Sequence, residues 1–383
     1  MPPPGNRGLF EGLTVVELAT VLAGPAVGQF FAELGARVVK LEPPTGDVTR
    51  TWRIAGEGSA SDVSAYFSAV NWGKASVVAD LKTAAGQALA HALLASADVV
   101  ISNYRPSDGE KLGMAPAALQ ARYPRLVVAH LSGYGPTSDR GGYDALVQAE
   151  SGFMYLNGTP EGPATKLPVA LMDLLAAHQL KEGILAGLWQ RERTGTGAIV
   201  EVSLAQAAVA SLANQASAWL WLGQRPERAG SEHPAIVPYG SLFATADGRE
   251  VQLAVGSDRQ FADLCDVLGL PHLAHDPRYS TNARRVEHRS ALKAELAAAI
   301  ATQALEPLLA TLHTRGVPAG ALHDVPTALA QPEALPLHLV HEGLKGLRTV
   351  AWAEPQGWQA PTLSPPPNLG AHTEALRQEL GLA

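Results

Sequence analysis

The stretch Thr14–Pro44, TVVELATVLAGPAVGQFFAELGARVVKLEPP, decides the fold. Two short β-branched runs, "LTVVELA" and "ARVVKLE", flank a longer segment with helical spacing, "PAVGQFFAELG", so the stretch reads as strand, helix, strand. Pro25 suits the first turn of that helix, where its missing N–H is no loss. Glu42, at the end of the second strand, stands about where a ribose-binding acid stands in a dinucleotide fold. The loop Ala23-Gly24-Pro25-Ala26 lacks the second glycine that lets a pyrophosphate approach the helix backbone, so the segment reads as a structural turn rather than a nicotinamide site.

The alternation continues outward. "ASVVADLK", "TAAGQALAHALLASA" and "DVVISNY" repeat the pattern, and "LVVAHLSGYG" follows a helix at "PAALQARYP". This order predicts an α/β domain, Rossmann-like, with a doubly wound parallel sheet. A helix from Leu174 to about Arg191 ends at the glycines of "RTGTGA", then come the strand "AIVEVSL" and a long Ala-rich helix. From about Arg225 to Ala319 the pattern changes to a hairpin, "SLFATADGREVQLAVG", turning at Asp247-Gly248, with several short helices. A smaller α+β domain is expected there. The tail "EPQGWQAPTLSPPPNLGAH" should run extended along a surface before a last helix near Thr373.

With 383 residues, 46% of them hydrophobic, the chain exceeds one compact domain and two are expected. A net charge of −7 with no block of Lys or Arg sets nucleic acid aside as a partner. The single cysteine, Cys265 in "FADLCDVLG", allows no internal disulfide and reads as a buried structural thiol. No leader pattern stands at "MPPPGNRGLFEGL" and no apolar run is long enough to cross a bilayer, so the expected location is cytoplasmic, away from membranes. The histidines are scattered without zinc spacing, so no metal site is expected. Neither a nucleophile elbow nor a phosphate-binding Walker loop is present.

One carboxylate stands out. Asp173, in "KLPVALMDLLAAHQLKEG", falls between an apolar run and a helix start. By position alone it is an N-cap, accepting amide hydrogen bonds. The same amides and the helix dipole would keep it ionised, which also suits a nucleophile.

The chain resembles the class III CoA-transferases over nearly its whole length. This group contains formyl-CoA transferase and carnitine CoA-transferase, and α-methylacyl-CoA racemase is related to it. The resemblance is carried by "VLAGP" with "LGARVVKLEPPTGDVTR", "NWGKASVVADLKT", "VVISNYRP", "LSGYGPTSDRGGYDALVQAESG", "RTGTGAIVEVSL", "HPAIVPYGSLFATADG", "VGSDRQFADLCDVLG", "GVPAGALHDVPTALAQPE" and "LGAHTEAL", all in the family's order. It implies that Asp173 is the nucleophile, which passes CoA from an acyl-CoA thioester to a free carboxylic acid through aspartyl anhydride and aspartyl-CoA intermediates. Acyl-CoA and small carboxylic acids are then the substrates, and no permanently bound cofactor is required.

The resemblance also implies CoA contacts at Leu22, Ala23, Ala79, Leu81, Lys82, Asn103, Tyr104 and Lys111. Lys82 and Lys111 would meet phosphates and Tyr104 would pack on adenine. Read without the family, these residues are solvated lysines and core packing. It further implies an interlocked homodimer, with residues 1–218 as the first part of a large CoA-binding domain, 225–322 as a small α+β domain, and 323–383 as a linker returning to the large domain. Long linkers at 219–238 and 322–357 would allow this.

Departures from formyl-CoA transferase are Thr20 and Leu22 in place of a histidine and a glutamine, and Pro43 in place of an arginine. They point away from formate and oxalate, and Leu22 points to a less polar acyl group. The glycine-rich active-site loop has no counterpart in "ERAGSEHPAIVPY", so a different lid, or none, is expected. Two other readings are an acyl-CoA racemase and a non-catalytic acyl-CoA-binding protein. The racemase pattern G-H-D is Gly142-Tyr143-Asp144 here, and an unperturbed tyrosine is too weak an acid and too poor a base to replace imidazole.

Overall fold

The computed structural model describes residues 8–58, 61–350 and 361–382. The N-terminal residues 1–7 and the first part of the proline-rich tail, together with the end of the second expected linker, lie outside them. The chain divides into two compact units. The first comprises Met1–Phe153, Lys166–Leu222 and Leu335–Ala383, the second Met154–Thr165 and Gly223–Ala334.

The first unit is built on six parallel strands: β1 (Thr14–Glu17), β2 (Arg37–Glu42), β3 (Lys74–Val78), β4 (Val99–Ser102), β5 (Val127–Ser132) and β6 (Ile199–Ser203). Their order is β3-β2-β1-β4-β5-β6, the doubly wound arrangement. Strands such as Val99–Ser102 are buried throughout, as a sheet covered on both faces requires. On one face, helices Ala23–Glu33 and Leu171–Thr194 pack over Val15, Val99, Val127 and Ala129. On the other, helices Ala84–Ala95 and Pro116–Arg122 cover Val16, Val39, Val100 and Val128.

Helix Leu171–Thr194 lies close on the sheet because two of its residues are glycines. A Cβ on Gly183 would come 2.4 Å from Val200, and one on Gly187 3.1 Å from Val127. The helix ends at Gly195, which is left-handed at φ 77° and donates its N–H to the Arg191 carbonyl at 2.8 Å. The long Ala-rich helix expected next is instead two helices, Leu204–Ala210 and Ala213–Leu222, broken where Ala213 takes φ 48°. The second therefore occupies part of the segment read as a linker. The other linker also carries structure: helix Val325–Leu329 and a hairpin of β10 (His338–His341) and β11 (Leu344–Leu347).

In the second unit, β7 (Tyr239–Ala244) and β8 (Glu250–Ala254) form the expected antiparallel hairpin around Gly248, which is left-handed at φ 74°. A third strand, β9 (Ala319–Ala321), pairs with β8. The core includes Phe243, Leu253, Phe261, Leu264, Leu296 and Leu308. Cys265 is buried there, and burial pushes its thiol up to about 12, as befits an inert structural cysteine.

Candidate active site

In a doubly wound sheet, the chains leaving neighbouring strands diverge where the order reverses, and this opens a crevice at the carboxyl ends. Here that point lies between β1 and β4. A cavity of about 490 Å³ opens there, lined by Thr20, Val21 and Ala23 after β1 and by Asn103–Pro106 after β4. Gly133, Arg140–Asp144 and Asp173 close its other side. The volume is in the range of ligand-binding clefts.

Asp173 is not the helix cap. The helix begins at Leu171 with Ala170 as its N-cap, so Asp173 sits in the first turn. The capping carboxylate is Asp144, whose Oδ1 accepts the Met172 N–H at 2.9 Å. Its Oδ2 accepts from Gln148 Nε2 at 2.7 Å, and Gln148 Oε1 accepts the Leu167 N–H at 2.8 Å, which fixes the chain entering the helix.

Asp173 itself is buried, and among the described residues no hydrogen bond reaches its carboxylate. Burial first, and then the charge of Asp144, raises it from an ordinary 3.8 to about 7. The expectation of a carboxylate held ionised by amide hydrogen bonds is thus corrected. This carboxylate is desolvated and, among the described residues, unpartnered, which makes its oxygen a better nucleophile once ionised. Tyr66, which sequence reading missed, is half-buried within reach of the same field. Burial, then Asp173, Asp144 and Asp47, raise its phenol, so it remains a neutral O–H.

Two loops cross tightly behind the site. A Cβ on Gly142 would lie 2.1 Å from the Gly133 Cα, so neither position has room for a side chain. At the cavity rim Arg140 pairs with Glu150 and lies over the Tyr134 ring at 4.1 Å, while Arg105 pairs with Asp108 at 2.8 Å.

The expected CoA contacts fall into three groups. Ala23, Asn103 and Tyr104 line the cavity that holds Asp173. Ala79 and Leu81 are buried in the core on which Tyr104 packs. Lys82, in a turn, and Lys111, the last residue of helix Pro106–Lys111, are exposed, and their neighbours are tied together by Gln87, whose Nε2 donates to the Leu81 and Leu112 carbonyls at 2.7 and 2.6 Å. Leu22 precedes helix Ala23–Glu33 and packs against the hydrophobic core without lining the cavity. It therefore gives no support to the apolar acyl group read from it.

Among the described residues there is no group of three His, Cys, Asp or Glu placed to hold a metal. No helix among them is long and apolar enough to cross a membrane.

The fold supplies an α/β switch-point cavity with a desolvated aspartate in its wall, and comparison with known proteins gives the family. The profile of CoA-transferase family III matches residues 10–373, and the chain belongs to this family of enzymes. It is 38% identical to the succinate–glutarate CoA-transferase of Agrobacterium fabrum, over 98% of this chain and 97% of that one. It is also 38% identical to the acetyl-CoA:oxalate CoA-transferase of Acetobacter aceti, over 86% of this chain and 85% of the relative. Among solved structures, a CAIB/BAIF family protein from Brucella suis superposes with a TM-score of 0.86 at 38% identity, covering 98% of this chain and all of that one. The sequence resemblance to CoA-transferases is thereby established.

Proposed function

We propose that this CoA-transferase works by covalent relay through Asp173. The observation that carries the reading is a buried carboxylate, unpartnered among the described residues, opening into a cavity shared with Ala23, Asn103 and Tyr104. An Asp173 oxygen attacks the thioester carbonyl, the C–S bond breaks, and CoA leaves as thiolate, with the acyl group now joined to Asp173 as a mixed anhydride. The thiolate attacks the aspartyl carbonyl of that anhydride, breaking its C–O bond, and releases the donor acid as carboxylate. The acceptor carboxylate then attacks the aspartyl-CoA thioester, giving a second anhydride and thiolate. Attack of the thiolate on the acceptor's acyl carbon restores Asp173 and yields the new thioester. The departing thiolate is each time the nucleophile that opens the anhydride just formed, so the thioester's energy stays in covalent bonds if water is kept out.

Ala23, Asn103 and Tyr104 would border the pantetheine arm, with Leu22 fixing the adjoining turn. Lys82 and Lys111, beside Ala79 and Leu81, would meet the phosphates as point charges. The amides of Leu171 and Met172 already donate to Val169 and Asp144, so an oxyanion would draw on other donors around the cavity.

The acids we infer are small dicarboxylates. The named relatives act on succinate, glutarate and oxalate, and the cavity wall offers polar side chains at Thr20, Asn103, Arg105, Ser132, Ser138 and Arg140. This reading replaces the one drawn from Leu22. Tyr143, the counterpart of a racemase histidine, is 62% exposed, which leaves the transferase reading favoured.

The assembly we infer is a homodimer. On helix Ala213–Leu222, which buries none of its residues, Leu220 and Trp221 are 81% and 86% exposed, an apolar face suited to a second copy. The test of function is incubation with succinyl-CoA or acetyl-CoA and a panel of free acids, read by mass spectrometry. Wild type should exchange CoA between acids, and Asp173→Ala should lose exchange while still binding CoA. Unchanged exchange by that variant would contradict the reading.

A further inference from the structure

The turn after β1 carries a feature the relay does not use. Val21, on the cavity wall, has φ 75°. A β-branched side chain disfavours this left-handed conformation strongly, so something outside the residue must hold it there. Two side chains do. Asn103 Oδ1 accepts the Thr20 N–H at 3.1 Å while its Nδ2 donates to the Thr20 carbonyl at 3.0 Å. Asp47 then accepts the Val21 N–H on both carboxylate oxygens, at 3.4 and 3.2 Å.

Asp47 is completely buried and is itself held from several directions. It accepts from the Thr49 N–H and hydroxyl at 3.0 and 2.8 Å and pairs with Lys40 at 3.0 Å. Lys40 also pairs with Glu17 at 2.9 Å and donates to the Ala19 carbonyl at 2.8 Å, while Lys74 meets the other Glu17 oxygen at 2.7 Å. Two carboxylates and two ammonium groups are thus buried directly beneath a loop of the cavity. Apolar residues of similar volume commonly stabilise a core as well or better, so such a network is better explained by the geometry it imposes.

We propose that Asp47 is a positioning residue for the transfer reaction: it clamps the Val21 amide so that the strained Thr20–Ala23 turn keeps the shape that receives the CoA thioester arm. The inference rests on the reading of this cavity as the CoA site. Asp47 touches no substrate and acts through Val21.

A double-mutant cycle tests it, with free CoA binding measured by calorimetry on the full chain. Glycine adopts the left-handed conformation without strain and does not need the clamp. Asp47→Ala alone should weaken CoA binding tenfold or more. On the Val21→Gly background the same substitution should weaken it less than threefold. Equal losses on both backgrounds, or no loss in the single variant, would overturn the inference while leaving the CoA site intact. Wild type that fails to bind CoA would remove the reading of the site and the inference with it. Should Asp47→Ala not fold, Asp47→Asn keeps an acceptor for the Val21 amide while losing the charge paired with Lys40. Binding within threefold of wild type supports the clamp, and a tenfold loss that Val21→Gly fails to relieve contradicts it.

Discussion

Asp144 accepts the backbone N–H of Met172 at 2.9 Å, so the helix that carries Asp173 is capped from a separate element rather than by its own sequence. After burial, which is the larger cause, the charge of the same carboxylate raises the Asp173 carboxyl. One residue thus caps the helix that carries Asp173 and adds to its basicity.

The two effects separate by substitution. Asp144→Asn keeps an oxygen for the Met172 amide and removes the charge, so the fold should hold and the Asp173 inflection should move down. Asp144→Ala also removes the cap, at a cost of about 1 kcal/mol. Urea unfolding of both variants, with their pH profiles, checks the pair; equal stability and unmoved inflections would refute the double role.

The pH dependence of kcat/KM follows from the ionisation of the free enzyme's nucleophile. With Asp173 raised to about 7, the rate constant for acyl-CoA should climb about tenfold per unit below that pH and level off above it. Stopped-flow measurement from pH 5 to pH 9 reads this directly. A profile flat across this range would contradict the raised value.

Stability carries the same signature with opposite sense. Because the folded-state value lies above the unfolded 3.8, the folded chain holds a proton more firmly between 3.8 and about 7. Its stability therefore falls as pH rises through that window and stays lowered above it. Asp173→Asn should remove the loss, making the variant more stable than wild type at pH 8 by on the order of 1–4 kcal/mol. Near pH 4 the two should match. Thermal unfolding at both pH values checks the sign.

Gly142→Ala should abolish exchange, because its Cβ would stand 2.1 Å from the Gly133 backbone and push apart the loops that carry Ser132 and Asp144. Exchange above a tenth of wild type would mean that these loops yield easily.

For the assembly, Leu220→Glu with Trp221→Glu should convert a dimer to a monomer at micromolar concentration in sedimentation velocity. A wild-type chain that sediments as a monomer would refute the dimer.

The parallel sheet was legible because its strands are unbroken β-branched runs such as Val38-Val39 and Val127-Val128, separated by helical spacing. Asp173 was singled out by its place before a helix, but its chemistry was misread. The cap comes from Asp144, a contact between residues 28 positions apart that no local pattern signals. Val21 was equally hidden, since its glycine-like conformation is held by Asn103 and by the buried Asp47, both far away in sequence. Strand β9 is the three residues Ala-Gly-Ala, which carry no strand propensity and pair only because β8 offers an edge.

In the proposed relay Asp173 becomes covalently attached to CoA in every turnover. Rapid acid quench during exchange, followed by peptide mass spectrometry, detects that adduct. An Asp173-containing peptide bearing CoA as a thioester should form at a rate no slower than turnover and be absent from Asp173→Ala. Full-rate exchange with no adduct at Asp173 would contradict it.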